Sequence, residues 1–309
     1  MQKGLLKKQL TRTAIALAAA VTLSSVASTH DHTLCEGFVP SNKMRIPVGS
    51  VNQWNFLNLA PSVAGGLTEE QFNTVIDRFE RIYREDFSKA GGTLNVNRLW
   101  SDETVNASAS QQGSNWIVNM YGGLARHPAI TVEGFALVIC HEAGHHLGGA
   151  PKVKDWWGGS SWASNEGASD YFAGLKCLRR FFAEDDNEAE IAKASLDALV
   201  KERCEKQFSV RKDQLLCMRA SLGGNSVALL FMDLRKEPTP PVFGKPDPTV
   251  VTKMRDSHPP TQCRMDTYFA GATCHVDVSV PVSNSDYKEG SCVAPQDAIG
   301  TRPLCWFKP

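Results

Sequence analysis

His141-Glu142-Ala143-Gly144-His145 sets two imidazoles four residues apart, with a carboxylate directly after the first. On an α-helix that spacing puts both rings on one face, where they can aim at a single point. Neutral imidazoles so placed suit Zn²⁺, and Glu142 is positioned to reach a water activated there. The preceding residues predict the helix: Val132, Phe135, Val138 and Ile139 recur at helical spacing, and Gly148, Gly149 and Pro151 supply the stop.

A catalytic zinc needs a third protein ligand and one open position. A histidine three residues beyond Gly148 is excluded, because Pro151 stands there. A carboxylate on a following helix is the other solution, and Asn165-Glu166-Gly167-Ala168-Ser169-Asp170 offers one. Ser164 or Asn165 caps that helix, so Glu166 falls in its first turn. Asp170, one turn further on, can accept a hydrogen bond from the far ring nitrogen of a ligating histidine. A second element is Ser257-His258-Pro259-Pro260-Thr261-Gln262-Cys263-Arg264, in which prolines stiffen the backbone after His258. His258 and Arg264 are suited to donate to the oxyanion formed when water adds to a carbonyl.

The elements that must hold these residues are legible in outline. A capping box at Thr68 and Gln71 opens a helix whose apolar positions run from Phe72 to about Phe87. Strands are predicted over 93–99, 104–110 and 115–121, with hairpin chemistry at Gln111-Gln112-Gly113-Ser114. The third strand reads either as an edge strand along which an extended peptide could pair or as an ordinary sheet strand. A Trp- and Gly-rich loop covers 156–162. Helices follow over 164–182, 186–207 and 211–236, the last expected to break or bend at Gly223-Gly224. A proline-rich link then leads to a C-terminal section with four of the nine cysteines.

Formal net charge is zero, with 42% apolar and 21% charged residues. Nothing there draws the chain to nucleic acid or to an anionic membrane. Lys3, Lys7, Lys8 and Arg12 precede a short apolar run, and Ser25-Val26-Ala27 supplies small residues at a cleavage position, so residues 1–27 read as a signal peptide. No other stretch approaches eighteen consecutive apolar residues, so a stable membrane span is not expected in the mature chain. Cys140 is expected to be a buried free thiol, which leaves Cys35 and seven others to form four disulfides in an oxidising compartment.

The succession H-E-x-x-H, E-x-x-x-D and H-P-P-x-x-x-R resembles the gluzincin zinc peptidases that include the CAAX prenyl proteases and HtpX-type quality-control proteases. Glu133, eight residues before His141, extends the likeness, and Asn119 resembles the asparagine of that family's substrate-edge strand. The resemblance spans about residues 68–270. It implies an α+β, zincin-like fold with a small sheet on the zinc helix. It implies one Zn²⁺ on His141, His145 and Glu166, with Glu142 as general base and Asp170 behind a ligand. His258 and Arg264 would stabilise the transition state and Asn119 would bind substrate. The prenyl proteases' membrane helices are missing, so the expectation is a soluble exported relative, periplasmic or secreted, acting on protein or peptide substrates. The domain expectation is 1–27 signal peptide, 28–67 arm, 68–270 peptidase domain and 271–309 cysteine-rich extension. The alternative is a zinc-binding envelope chaperone or assembly factor with gated or absent proteolysis.

Overall fold

Helix α1 (Glu69–Lys89) begins where Thr68 caps it: the Thr68 side chain accepts from the Gln71 N–H and Gln71 answers the Thr68 N–H. Its apolar stripe, Phe72, Val75, Ile76, Phe79, Tyr83 and Phe87, is buried. Three strands follow, β1 (Thr93–Leu99), β2 (Ala107–Gln112) and β3 (Asn115–Tyr121). Gly113-Ser114 joins β2 to β3, and Gly113 takes φ +60°, the left-handed backbone a two-residue hairpin requires. The coordinates are a computed structural model, and they describe residues 37–50, 66–155 and 157–309. The stretch expected to be a signal peptide (residues 1–27), Cys35 and Trp156 lie outside the described residues.

The sheet order is β1-β3-β2, with β1 parallel and β2 antiparallel to β3. β3 is therefore the central strand, not an edge, because β1 returns alongside it after α1. The outer edge of β2 is partly covered. Phe38 N–H donates to Ala107 O, and Ile46 N–H donates to Glu103 O, so residues 38–46 run along residues 103–107 and cover the strand only at its first residue.

After the short α2 (Gly122–Ala125) comes α3 (Val132–Leu147), capped by Thr131 and buried on nearly every side. β4 (Lys152–Lys154) and β5 (Ser160–Ser164) form a hairpin, its second strand starting inside the loop expected over 156–162. The helix expected over 164–182 is α4 (Glu166–Phe172), a π-helical turn Ala173–Cys177 and α5 (Leu178–Phe181). The next is split into α6 (Asn187–Ala192) and α7 (Ala198–Gln207). Helix α8 (Arg211–Arg235) runs on through Gly223-Gly224, where a bend was expected. Those glycines serve packing: a Cβ at 223 would lie 2.8 Å from Glu133 O, and one at 224 would lie 3.0 Å from Tyr268. By length and composition α8 could cross a membrane, but 83% of its most apolar window is buried inside this fold.

The last helix, α9 (Thr261–Thr273), contains the boundary expected near residue 270. The segment beyond it is fastened back to α4 and α9. Trp306 lies against Gly167, Tyr171 donates to Gly300 O, and disulfides join Cys263 to Cys305 and Cys274 to Cys292. The described residues all fall in one compact unit, Thr33–Pro309. With 43% helix and 12% strand, the architecture is mixed helix and small sheets, consistent with α+β. Two further disulfides are Cys204–Cys217 and Cys140–Cys177. The latter corrects the expectation that Cys140 is a free thiol: α3 and the π-helical turn pack closely enough to bring it onto Cys177.

Candidate metal centre

His141 and His145 emerge one turn apart on α3 and face the start of α4. Gly144 permits the approach, since a Cβ there would come within 2.8 Å of Ser169 Cα. Asn165 caps α4 by accepting from the Ala168 N–H, and this turns Glu166 toward the histidines. Glu166 Oε2 lies 3.3 Å from His141 Nε2, and Glu166 Oε1 lies 3.7 Å from His145 Nε2. All three residues are buried and offer donor atoms within 4.8 Å of one another.

Both ring tautomers are fixed from behind. His141 Nδ1–H donates to Asp170 Oδ1 at 2.7 Å, and His145 Nδ1–H donates to the Ser164 carbonyl at 2.9 Å. Carboxylate and carbonyl only accept, so each Nε2 carries the lone pair and turns it toward Glu166. Two lone pairs and a carboxylate aimed at one buried point repel unless a cation lies among them. Tetrahedral ligand bonds of about 2.0–2.1 Å place donor atoms about 3.3–3.4 Å apart, close to the 3.3 and 3.7 Å that separate the Glu166 oxygens from the two rings. The set fits a metal ion.

The same geometry explains the protonation behaviour of the metal-free chain. Burial pushes His141 down, but the carboxylates of Asp170 and Glu166 outweigh it and raise its pKa to about 9. A proton then takes the cation's place. Burial holds His145 at about 4 and His258 at about 4. Glu142 is fully buried, both its oxygens lack a hydrogen-bond partner among the described residues, and burial raises its pKa to about 8. A divalent cation beside it acts in the opposite sense and favours the ionised carboxylate.

His258 reaches the centre from the turn before α9, with Nε2 3.1 Å from Glu166 Oε2. Arg235 holds that turn by donating to Pro259 O and to Thr261 Oγ1. Arg264 does not face the centre as expected for an oxyanion donor. It is fully buried, donating through Nε and Nη2 to the two oxygens of Asp170 at 2.9 and 2.7 Å and through Nη1 to Phe38 O. Its place in the first turn of α9 points it at Asp170, so it steadies the carboxylate that orients His141. Asn119 is also elsewhere. Strand alternation turns it away from buried Val118 and Met120, and it donates to Ser108 Oγ and accepts from Asn97 on the sheet's outer face. Glu133 pairs with buried Arg219 of α8 at 2.9 Å.

The structure thus brings together His141, Glu142, His145, Glu166, Asp170 and His258, and it separates Asn119 from them. Sequence reasoning missed two contributors. The Ser164 carbonyl orients His145, and a backbone acceptor leaves no residue signal. Phe38, in the stretch read as an arm, packs its ring edge-on to His141 with centroids 4.8 Å apart. His146, one position round from the ligand face, stacks between Trp116 and Trp162.

No family model, curated protein or solved structure matches this chain.

Proposed function

We propose that this chain is a zinc-dependent endopeptidase of gluzincin type, zincin-like in fold. It resembles soluble, exported relatives of the CAAX prenyl protease and HtpX group and hydrolyses extended protein substrates. The observation that carries the proposal is the pair of Nε2 lone pairs turned on one carboxylate, with the unpaired carboxylate of Glu142 on the same helix turn. A structural metal site needs no such fourth group.

Zinc held by His141, His145 and Glu166 would supply Lewis acidity toward a scissile carbonyl. Glu142 takes a proton from the attacking water and passes it to the leaving amine. His258, presenting Nε2 beside Glu166, donates a hydrogen bond to the carbonyl oxygen as it becomes an oxyanion. Asp170, held by Arg264, and the Ser164 carbonyl keep the two rings from turning. An extended substrate pairs with the part of the β2 edge beyond Phe38. Ala107 O already faces that edge, and by alternation Ala109 and Gln111 present the next outward backbone groups. Four disulfides are compatible with an oxidising, exported setting.

The test compares the chain, purified oxidised and zinc-loaded, with Glu142→Gln. Equal zinc content and cleavage of an unfolded protein by the wild type alone, abolished by chelator, are expected. Failure to bind zinc overturns the proposal at its root. Stoichiometric zinc with no cleavage by either protein favours the second reading, a zinc-stabilised chaperone or a protease held shut. The full burial of Glu142 is the observation on that side.

A further inference from the structure

A cavity of about 920 Å³ lies beside the C-terminal end of α3, and none of His141, Glu142, His145, Glu166 or His258 lines it. That volume is in the range of small-molecule sites. One wall is aromatic: Trp116, His146 and Trp162 form a continuous stack, with ring centroids 5.2 and 4.9 Å apart and planes within 12° and 22°. Tyr83 and Phe172 face it from α1 and α4.

The charges around this cavity do not cancel. Arg180 pairs with Asp86 at 2.9 Å, and Lys89 pairs with Glu85 at 2.8 Å. Lys152 and Lys176 line the same cavity, and among the described residues neither makes an ion pair with a carboxylate. Among the described residues Lys152 Nζ donates to neutral groups, Trp162 O at 3.1 Å and Ser164 Oγ at 3.3 Å. Lys176 Nζ donates to the backbone carbonyl of Asp277 at 2.6 Å, while the Asp277 carboxylate is taken up by Ser279. Lys176 stands in the π-helical turn, a distortion whose extra residue re-aims the side chains that follow it. Burial lowers both ammonium groups to about 8, which is the cost of holding a charge away from water and from a counter-ion.

We propose that this cavity binds an amphiphilic carboxylate, its apolar body against the Trp116–His146–Trp162 wall and its carboxylate on Lys152 and Lys176. An anion supplies what the two ammonium groups lack, and the aromatic wall selects a molecule with an apolar body over inorganic anions. The cavity adjoins the β2 edge at Gln111, but binding in it does not depend on the proposed peptidase chemistry.

The probes are dodecanoate and, as an uncharged match, dodecanol, titrated into the folded chain by calorimetry with and without metal. Dodecanoate is expected to saturate one site, at least about tenfold tighter than the alcohol, since a charge-assisted hydrogen bond carries that much discrimination. Lys152→Met and Lys176→Met are each expected to weaken dodecanoate about tenfold and leave dodecanol unchanged, whereas Lys152→Arg retains binding. Circular dichroism verifies the fold of each variant. If a Met variant does not fold, Lys152→Arg and the comparison of acid with alcohol on the wild type decide. The proposal is overturned by no saturable dodecanoate binding below about 1 mM. Equal binding of acid and alcohol, or folded Met variants that bind dodecanoate as the wild type does, overturns it as well. Loss of the metal, or absence of peptidase activity, leaves these outcomes as they stand.

Discussion

Replacing Asp170 with asparagine keeps the side-chain shape and removes one charge at the point where two networks meet. Its Oδ1 accepts from His141 Nδ1 and from Arg264 Nη2, both at 2.7 Å, and its Oδ2 accepts from Arg264 Nε at 2.9 Å. Asp170 and Arg264 are both fully buried. Two separable losses follow. An outer carboxylate behind a ligating histidine is worth about 10–100-fold in metal affinity, and one this enclosed belongs at the upper end. Arg264 meanwhile keeps its charge in the interior, facing the rings of Phe38 and Phe231 at 4.6 and 4.3 Å, without a carboxylate partner. Breaking a buried pair from one side costs about 3–5 kcal/mol. The asparagine oxygen retains one acceptor, which favours the lower figure.

Metal affinity is read by competition with a chromophoric chelator, and stability by denaturant unfolding of the metal-free chain. The double variant Asp170→Asn/Arg264→Met separates the two effects. Stability is expected to recover part of the loss once the stranded guanidinium is gone, while metal affinity remains low. If Asp170→Asn bound metal within about threefold of the wild type, the claim that this carboxylate orients His141 would be refuted. An unchanged unfolding midpoint would refute the buried pair.

Other outcomes follow from the same geometry. Because His141 titrates at about 9 without metal, binding below that pH displaces a proton, and the apparent metal Kd is expected to rise about tenfold per pH unit between 8 and 5. A pH-independent Kd would show that His141 is not a ligand. The Asp170 pKa is lowered, with burial opposing and the charges of Arg264 and His141 prevailing. Its stabilisation is therefore full above the unfolded carboxylate range near about 4 and is lost as pH falls through the lower folded value, an acid limb that Asp170→Asn should lack. Gly144→Val puts a Cβ 2.8 Å from Ser169 Cα, inside contact distance, so α4 must retreat and metal content should fall about tenfold or more in chain that still folds. Cys140 and Cys177 are 37 residues apart in sequence, and the chain-entropy relation gives about 4 kcal/mol for that loop. Cys140→Ala/Cys177→Ala should lose about that much, with peptide mapping of the oxidised wild type recovering the Cys140–Cys177 peptide.

What the sequence made legible was periodic or local. The stripe of α1, its capping box, the hairpin at Gly113 and the face of α3 each depend on neighbours within a few residues. The position of β3 depends instead on β1, more than fifteen residues earlier, returning parallel to it, and no local pattern records that pairing. Asn119 was misplaced for the same reason. Arg264 shows a second limit: a cation in the first turn of a helix after His258 has the composition of an oxyanion donor. Only the packing of α9 on α4 reveals that Asp170 lies nearer. Cys140 is a third, since its partner sits 37 residues away on a turn whose π geometry is not written in any spacing.

The stretch Ser164–Asp170 accounts for why the centre is so compact. It supplies the carbonyl that orients His145, the carboxylate that faces both rings and the carboxylate that orients His141. Three functions therefore share one rigid unit, β5 running into capped α4. Its position relative to α3 is set by contact at Gly144 and by the Cys140–Cys177 bridge. Shifting that unit by an ångström disturbs a ligand and both tautomers together, so damage to the centre should be cooperative. Glu166 and Asp170 substitutions are accordingly expected to be strongly non-additive in metal affinity. Gly144→Val should resemble their combination more than either one of them. Independent, additive losses in a double-variant cycle of Glu166→Gln with Asp170→Asn would show instead that the two carboxylates act separately.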